Sequence, residues 1–526
     1  MIRSPARYRP RLVLAAPALF AVSLALAVGA FDRPLAAQEP DGLAAAAAIQ
    51  DAFVKAIESA EKSVVSIARD KRQLGALADK RSPLLEGAKT TDPSDPNWIP
   101  NEFGAGIVID KAGLILTNYH LVRGGPIKDH PEHKAEHSLY VRLPDRRGFD
   151  AYIFAADPRS DLAVLWIECN DLIPLKVDAA GPIRKGQFVI ALGNPYAIAR
   201  DGSASATWGI VGNIGRQAAI EGEPLDPERI KAETIHHLGT LLQIDARLDL
   251  GTSGGALLNL KGDLIGMTTS LAAIVGYEKS AGFAIPFHDS MKRIIETLRQ
   301  GKEVEYGFLG VTPGEILPSE FINPEWEPIK GRLRRGAARI DIVPANLPAS
   351  RAGLMGGDVV LKVRGRDVFS RNDLMREIGL AAPGEIVHVV IYRTGGPGRA
   401  GQEIDVPVEV GKWPAIDEEG IIARTPSRSP WRGLVYDYST SRRRFVAFPT
   451  MHEPFDGVRV VKVTPGTPVA ASDLQPGDLI THVKGEPVHS PRDFAEAVQK
   501  ATGTIALRVW SPSNRAAPAH NVEIKP

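Results

Sequence analysis

The sequence predicts a mostly β protein in which many short strands, arranged as an antiparallel barrel or sandwich, precede two copies of one small αβ domain. Two observations support this prediction. Over residues 103–287, short β-type runs alternate with glycine turns, and helical runs are few. Further along, a gapless repeat at an offset of 120 residues relates residues 343–374 to residues 463–494.

The chain is too long for one hydrophobic core, and its composition is that of an ordinary globular protein. Its 526 residues indicate about three or four domains. Apolar residues make up 44% and charged residues 24%, while the abundant glycine (50) and proline (41) favour turns and β-structure over a helical bundle. The single cysteine, Cys169, excludes an intrachain disulfide, and we interpret it as a packed thiol rather than a nucleophile.

The first 30 residues are typical of a secretory signal peptide. Four arginines precede an apolar run at residues 12–30 that ends in small residues, and no acid occurs before Asp32. An uncleaved membrane anchor is the alternative, because the run is nearly long enough to span a bilayer. Either way, we expect the rest of the chain outside the cytoplasm. Without residues 1–30 the formal net charge changes from +1 to −3, and nothing in that balance indicates a nucleic-acid partner.

A helix and a strand precede the strand-rich region. Phe53, Val54 and Ile57 lie at helical spacing, and the β-branched run at residues 64–67 then predicts a strand. Residues 70–100 are polar and rich in proline, which predicts a long loop. A second helix, over residues 287–301, closes the strand-rich region.

Each copy of the repeat has the pattern of a complete small domain. A strand and a turn lead to a Gly-Asp pair, which is Gly357-Asp358 in the first copy and Gly477-Asp478 in the second. A strand, a glycine turn, a short helix and a last strand follow in both copies. The sequence therefore predicts two copies of one αβ domain.

Three segments carry residues suited to nucleophilic catalysis. "TNYHLV" places His120 at the end of a strand, "DLAVLWI" begins with Asp161, and "GTSGGAL" contains Ser253. Because serine alone is a poor nucleophile, His120 would accept its proton and Asp161 would orient the imidazole. Each residue alone has an ordinary structural interpretation, but the chain order His-Asp-Ser on a β-rich chain favours a catalytic triad.

These segments resemble motifs of the HtrA (DegP-type) family of trypsin-fold serine proteases. They are similar to the family's TNxHV, DLAVL and GNSGGAL, and "GFAIPF" at residues 282–287 is similar to its GxGFAIP. The repeated domains resemble PDZ domains. Together with the protease-like motifs, the resemblance covers residues 48–513. It implies a chymotrypsin-like double β-barrel protease domain followed by two PDZ-like αβ domains. The implied boundaries are a signal peptide or anchor at 1–30, a linker at 31–47, the protease domain at 48–300, PDZ domains at 306–411 and 430–513 with a linker at 412–429, and a tail at 514–526.

The resemblance also implies residues for an oxyanion hole, a specificity pocket and peptide capture. Backbone N–H groups of the turn around the serine would face the developing oxyanion; the residues are Gly251, Thr252 and Ser253. The pocket would be apolar and would accept small or medium aliphatic side chains; its residues are Leu248, Leu271 and Ala272. Peptide C-termini would bind backbone groups of the PDZ domains at Gly307, Phe308, Leu309 and Gly310 in the first and at Gly433 and Leu434 in the second.

The chain departs from the family's pattern around the serine and in two insertions. Thr252 stands where the family has Asn, a change that backbone donors tolerate, and Asp249, Leu250 and Arg247 also differ in this pocket-shaping segment. One insertion near residues 125–140 carries His130, His133 and His137, and we interpret it as a solvated loop rather than a metal site. Another, at residues 217–240, carries His236 and His237 and is assigned to the loops around the active site.

The sequence therefore predicts an exported serine endopeptidase of the periplasm or cell envelope that cleaves unfolded or damaged proteins without a metal or organic cofactor. The resemblance implies a homo-oligomer, typically a trimer. A non-catalytic chaperone or scaffold that holds clients through its PDZ-like domains is the main alternative. Regulated cleavage of one dedicated signalling substrate is a further alternative.

Overall fold

The fold is taken from a computed structural model of the chain. The structure describes residues 42–71, 100, 102–177, 181–194, 201–217, 234–270, 282–317, 319–320, 324–396, 401–415, 418–441, 456–511 and 519–526. The predicted signal and most of the proline-rich loop lie outside these residues. The chain divides into Met1–Asp51 and Ala52–Pro526, and the architecture below is that of the second unit.

The first of two closed barrels has six antiparallel strands in the order β1-β2-β3-β6-β5-β4. They are β1 (Val64–Lys71), β2 (Glu102–Asp110), β3 (Leu114–Asn118), β4 (His137–Arg142), β5 (Gly148–Asp157) and β6 (Leu162–Ile167). Fully buried aliphatic side chains such as Ile115, Val141 and Leu165 fill the barrel. Closure pairs both edges of the sheet, so no strand of this barrel is left open for pairing with another chain.

The second barrel also has six strands, in the order β10-β11-β12-β9-β8-β7. They are β7 (Phe188–Gly193), β8 (Ser205–Arg216), β9 (Leu241–Ile244), β10 (Ala256–Leu258), β11 (Leu264–Thr269) and β12 (Gly282–Pro286). The prediction of a double β-barrel from the sequence is thereby confirmed.

One hydrophobic core runs across both barrels. Leu116 and Leu162 of the first barrel belong to the same buried cluster as Ile190 and Met267 of the second. Among the residues that the structure describes up to position 300, the helices are α1 (Gly42–Ala60), α2 (Tyr119–Val122) and α3 (Asp289–Arg299). The apolar face of α3 enters this cluster through Met291 and neighbouring residues, which buries apolar surface from water and holds the barrels together.

The repeat forms two sheets of identical topology. The first runs β14-β15-β16-β18-β19, with β17 paired to β16, and the second runs β21-β22-β23-β25-β26, with β24 paired to β23. The strands of the first are β14 (Thr312–Glu315), β15 (Ala338–Ile342), β16 (Val359–Val363), β17 (Arg366–Asp367), β18 (Ile386–Arg393) and β19 (Gln402–Glu409). A separate two-stranded sheet pairs β13 (Gly307–Phe308) with β20 (Gly411–Lys412).

The second sheet extends beyond the boundary predicted for its domain. Its strands are β21 (Leu434–Tyr438), β22 (Val458–Val463), β23 (Leu479–Val483), β24 (Glu486–Pro487), β25 (Ile505–Trp510) and β26 (Ala519–Ile524). The sequence prediction assigned residues 514–526 to a tail, but β26 pairs with β25 along its whole length and buries Val522 and Ile524. The assignment of this segment to a tail was therefore wrong, because these alternating apolar residues complete the sheet.

The matched residues of the repeat make matched local bonds. The carboxylates of Asp358 and Asp478 accept the N–H of the third residue before them, at 2.8 Å in both copies. Ser370 and Ser490 accept the N–H of the third residue after them at the starts of α6 (Arg371–Gly379) and α7 (Pro491–Lys500), which satisfies a donor that the helix leaves open. Two shorter helices are α4 (Lys330–Leu333) and α5 (Pro348–Arg351).

A buried ionic cluster joins the two repeat domains and the segment before them. Lys412 Nζ lies 2.8 Å from Glu303, 3.0 Å from Glu305 and 2.7 Å from Asp437. Arg428 bridges Glu305 and Asp437 at 2.8 and 2.6 Å. Burial lowers the pKa of Lys412, but the surrounding carboxylates outweigh that effect and hold the pKa above its usual value. The amine therefore stays charged. No helix of the described residues is long and apolar enough to cross a membrane.

We expect Lys412→Met to destabilise the C-terminal part of the protein by about 3–5 kcal/mol, because it leaves buried carboxylates without their partner. Limited proteolysis at increasing urea concentrations gives the midpoint for unfolding of this region and measures the effect. Arg492→Met is the matched control, since Arg492 pairs with Glu496 at 3.2 Å on an exposed surface. Equal midpoints for the two variants would contradict a stabilising role for the cluster.

Candidate active site

The structure brings His120 and Asp161 together at one edge of the first barrel. His120 lies in α2, directly after β3, and Asp161 lies in the turn between β5 and β6. The Asp161 carboxylate accepts hydrogen bonds from His120 Nδ1 at 2.8 Å and from the His120 backbone N–H at 2.9 Å. Because a carboxylate only accepts, Nδ1 carries the proton and Nε2 of the neutral ring is left as an acceptor.

Asn118 is a further residue of this arrangement that the sequence analysis did not single out. Its Nδ2 donates to the Asp161 carboxylate at 3.0 Å, and the N–H of Tyr119 donates to the Asp161 carbonyl at 2.9 Å. Asp161 has a φ of 54°, in the left-handed region that side chains other than glycine rarely adopt. The bonds from residues 118–120 hold the carboxylate in this conformation.

The environment of His120 favours its protonated form. Burial by itself lowers the pKa of the imidazole, but the negative charge of Asp161 and its hydrogen bond raise the pKa by more, so that the result lies above the usual value of 6.5. Such a ring is a stronger base than free imidazole, which suits proton transfer from a hydroxyl group.

Glycines shape the turn that carries Ser253. Gly251 has a φ of 95° and Gly254 a φ of 83°. A Cβ atom at Gly251 would lie 2.3 Å from the Asn194 carbonyl oxygen, and one at Gly254 would lie 2.0 Å from the Ala105 carbonyl oxygen. Neither position can accept a side chain, because the obstacles are backbone atoms and the φ is positive.

Hydrogen bonds fix the Ser253 turn between the barrels. The Ser253 carbonyl accepts the N–H of Ala105 in β2 at 2.8 Å, and Gly254 N–H donates to Thr268 of β11 at 2.9 Å. The Thr268 hydroxyl donates to the Thr252 carbonyl at 2.5 Å. Within the described residues, the N–H groups of Gly251 and Ser253 have no hydrogen-bond partner.

His120 and Asp161 are bonded to each other, and the neighbour of His120 lies close to the Ser253 turn. A Cβ at Gly104 would touch both Leu121, the neighbour of His120, and the Ser253 carbonyl. His120 Nε2 lies 3.4 Å from Ser270 Oγ, and among the described residues no hydrogen bond joins it to Ser253 Oγ. Such contacts are often long before a substrate binds.

The residues before Ser253 have different environments. Leu250 is 70% exposed, and Arg247 points outward, where it pairs with Asp249 at 3.1 Å. Leu248 packs against the core of the second barrel. Two residues predicted for the specificity pocket, Leu271 and Ala272, lie outside the described residues.

The histidines of the two insertions have distinct positions. His130 and His133 are exposed, whereas His137 is buried at the start of β4. In the part of the chain that the structure describes, no group of three or more His, Cys, Asp or Glu residues could hold a metal ion. His236 is fully buried against the turn that carries Asp161, with Nε2 2.8 Å from the Ser160 carbonyl oxygen.

The residues predicted for peptide capture lie next to the outer strands of the two repeat sheets. Gly307 and Phe308 form β13, Leu309 is buried in the first repeat core, and Gly310, two residues before β14, has a φ of 75°. Gly433, with a φ of 89°, precedes Leu434, which is buried at the start of β21. Strands β14 and β21 each end the strand order of their sheet.

Comparison with known proteins identifies two domain types in the chain. Residues 104–267 match the trypsin-like peptidase domain, and residues 440–505 match the PDZ domain. A probable periplasmic serine endoprotease DegP-like protein of Hahella chejuensis is 29% identical over 402 residues, which cover 76% of this chain and 75% of the relative. The periplasmic pH-dependent serine endoprotease DegQ of Escherichia coli is 26% identical, with 79% of this chain and 80% of the relative covered. A solved structure of the HtrA-type protease AlgW with a tripeptide is 23% identical, with a TM-score of 0.45 and coverage of 68% of this chain and 97% of the other.

We expect the pKa of His120, measured by NMR of histidine-labelled protein, to lie above 6.5 and to fall below 6.5 in Asp161→Asn. The substitution removes the charge that raises the pKa and leaves the burial that lowers it. His288 is an internal reference, because burial lowers its pKa to about 4 without a carboxylate bonded to the ring. An unchanged His120 pKa in Asp161→Asn would contradict this account.

Proposed function

Since the chain belongs to the DegP-type trypsin-like serine endoproteases that carry PDZ domains, we propose that it cleaves unfolded or damaged proteins in the cell envelope. The homology over most of the chain makes it a serine endopeptidase. The observation that carries the assignment of its active site is the bond between His120 Nδ1 and Asp161 beside the glycine turn of Ser253.

We propose that Ser253 is the nucleophile, His120 the general base and Asp161 the residue that orients the base. Ser253 Oγ attacks the carbonyl carbon of the scissile bond while His120 Nε2 takes the hydroxyl proton. The imidazolium then donates this proton to the leaving amine, and water hydrolyses the acyl-enzyme with the same base. The Asp161 carboxylate stabilises the imidazolium, which agrees with the raised pKa of His120.

The oxyanion of the tetrahedral intermediate would be held by the turn at Gly251, Thr252 and Ser253. Support comes from the N–H groups of Gly251 and Ser253, which have no partner within the described residues. Donors fixed in advance stabilise developing charge without reorganisation, and the loss of one such donor costs about 3–4 kcal/mol in the transition state.

The substrate's side chain before the scissile bond would enter an apolar pocket formed by Leu248, Leu271 and Ala272. Outward-pointing Arg247 pairs with Asp249 and leaves this pocket without a positive charge from that side chain. We therefore expect preference for small or medium aliphatic side chains over acidic ones.

The repeat domains would capture polypeptide C-termini. An extended peptide adds to a sheet edge and places its carboxylate on backbone N–H groups. The sites would be the segments before β14 and β21, formed by Gly307, Phe308, Leu309 and Gly310 in the first domain and by Gly433 and Leu434 in the second. Their position beside terminal strands supports this assignment.

The location would be the periplasm, which the names of the relatives state for those proteins. Residues 1–30 would supply the export signal, or a membrane anchor if they are not removed. A basic start followed by an apolar run supports this proposal.

We expect Ser253→Ala to abolish cleavage of casein, an unfolded substrate, because no other group can form the acyl-enzyme. Casein degradation followed on gels and labelling by a fluorophosphonate probe are the measurements. The alternative of a non-catalytic PDZ-based chaperone or scaffold predicts that the native chain does not label. Persistent casein cleavage by Ser253→Ala would refute the triad.

The homo-oligomer implied by the family has support in an exposed aromatic cluster formed by Phe53, Phe188 and Trp208. The ring centroids of Phe53 and Trp208 are 5.5 Å apart, and those of Phe188 and Trp208 are 6.2 Å apart. Trp208 is 63% exposed. Apolar clusters left exposed on a protomer commonly form contacts with another chain, so we propose that this cluster joins copies of the chain, as a trimer.

We expect the native protein to elute as a trimer in size-exclusion chromatography with light scattering, and Trp208→Ser to shift it toward the monomer. The substitution removes the largest exposed ring of the aromatic cluster. Ile386→Ser is the control, because Ile386 is as exposed as Trp208 but lies on β18 of the first repeat domain. A monomeric native protein would exclude the oligomer, and a trimeric Trp208→Ser would exclude this cluster as its interface.

A further inference from the structure

The turn between β5 and β6 is held together by its own side chains. Asp157 ends β5, and its carboxylate accepts the backbone N–H of Ser160 at 3.0 Å and the Ser160 hydroxyl at 2.5 Å. Ser160 is fully buried and directly precedes Asp161, whose φ is 54°. The orientation of the peptide between Ser160 and Asp161 therefore bears directly on where the Asp161 carboxylate points.

His236 also bonds to this peptide. The side chain is fully buried, and its Nε2 lies 2.8 Å from the Ser160 carbonyl oxygen. Because a carbonyl only accepts, Nε2 carries the proton, and Nδ1 accepts the hydroxyl of Thr240 at 2.6 Å. Burial lowers the pKa of His236, which keeps the ring neutral and the tautomer fixed.

The segment around His236 is tied to the Asp161 turn and to itself by backbone hydrogen bonds. A short 3₁₀ turn at Ile235–Leu238 is closed by two bonds between Thr234 and His237: the Thr234 N–H donates to His237 Nδ1 at 3.2 Å, and the His237 N–H donates to the Thr234 carbonyl at 3.2 Å. The N–H of Ile235 also donates to the Arg159 carbonyl at 2.8 Å. Two consecutive carbonyls of the Asp161 turn are thus bonded to one short segment some 75 residues away in the chain.

We propose that His236 is a positioning residue for Asp161, an inference that rests on the triad proposed above. Its N–H fixes the Ser160 carbonyl, the Ser160–Asp161 peptide fixes the backbone of Asp161, and Asp161 fixes the tautomer and direction of His120. The residue touches neither substrate nor reacting atoms. Residues 234–240 thereby gain a role in the chemical step through one buried hydrogen bond.

A buried histidine that only fills space predicts a different response to substitution. If shape alone matters, an apolar residue at position 236 restores turnover better than a polar one. If the donor matters, glutamine restores turnover, because its side-chain amide reaches as far as Nε2 and donates a hydrogen bond, whereas leucine cannot. Glutamine and leucine at position 236 are of similar length, so the comparison of the two variants isolates the effect of the hydrogen-bond donor.

The test compares His236→Leu, His236→Gln and the native full-length chain in cleavage of a chromogenic peptide with an aliphatic residue before the scissile bond. We expect His236→Leu to reduce kcat by on the order of 10–100-fold, the scale of a small misplacement of catalytic groups. We expect KM to change by less than about twofold, since no contact to substrate is lost. The rate of fluorophosphonate labelling of Ser253 should fall with kcat, and His236→Gln should restore most of both rates.

Controls separate this inference from the proposed function and from unfolding. His388→Leu removes an exposed histidine of β18 and should keep native rates. Thr240→Val removes the hydroxyl that donates to His236 Nδ1 and should lower kcat less than His236→Leu does. If His236→Leu does not fold, the kcat of Thr240→Val decides whether His236 positions Asp161. Three results would overturn the inference, provided that the probe still labels the native chain. They are a native labelling rate in His236→Leu, equal losses of rate in His236→Gln and His236→Leu, and a native kcat in Thr240→Val. A native chain that does not label overturns the triad itself.

Discussion

The candidate site depends on how the carboxylate of Asp161 is held. Three donors from one short stretch of chain reach it: the Asn118 amide, the His120 backbone N–H and His120 Nδ1. They bind a residue in a backbone conformation that costs free energy, so the carboxylate is fixed by its surroundings rather than by its own preference. The same bonds determine which nitrogen of His120 is free to accept a proton. Loss of their geometry would therefore change the chemistry before it changed the fold.

The Ser253 turn depends on the closure of both barrels. Its carbonyl bonds to β2 of the first barrel, while the neighbouring Gly254 bonds to β11 of the second. Backbone atoms crowd all three glycines of the turn, Gly251, Gly254 and Gly255, which shows how closely the chain segments approach there. A nucleophile carried by one barrel and a base carried by the other can meet only where the barrels share their core. That sharing is visible in the single cluster that contains Leu116 and Met267.

Features governed by local pattern could be predicted from the sequence, and features made by distant segments could not. Glycine turns between short apolar runs predicted an antiparallel barrel or sandwich, a pattern that acts within a few residues, and the family resemblance then implied two barrels. The gapless repeat at an offset of 120 residues predicted the repeated domain. The order of the three motifs and the family resemblance predicted the approach of His120 to Asp161. Nothing local marks His236, which meets Ser160 across 76 residues, or Lys412, whose carboxylates come from two other segments. Strand β26 was missed because only two of its six residues, Val522 and Ile524, show the apolar alternation of a strand.

The first repeat domain is attached at both its ends to the strand that leads into the Asp161 turn. At the first residue of the domain, the Tyr306 hydroxyl donates to Asp157, the last residue of β5. After the domain, Ile422 exchanges two backbone hydrogen bonds with Ala156, at 2.9 and 3.1 Å. Burial raises the pKa of Asp157, so this carboxylate needs its donors, and losing one leaves a buried acceptor at a cost of about 1–3 kcal/mol. Detaching the domain at Tyr306 would therefore weaken the hydrogen bonding of the same Asp157 carboxylate that holds Ser160. The attachment of this domain and the geometry of the triad thus share one buried group.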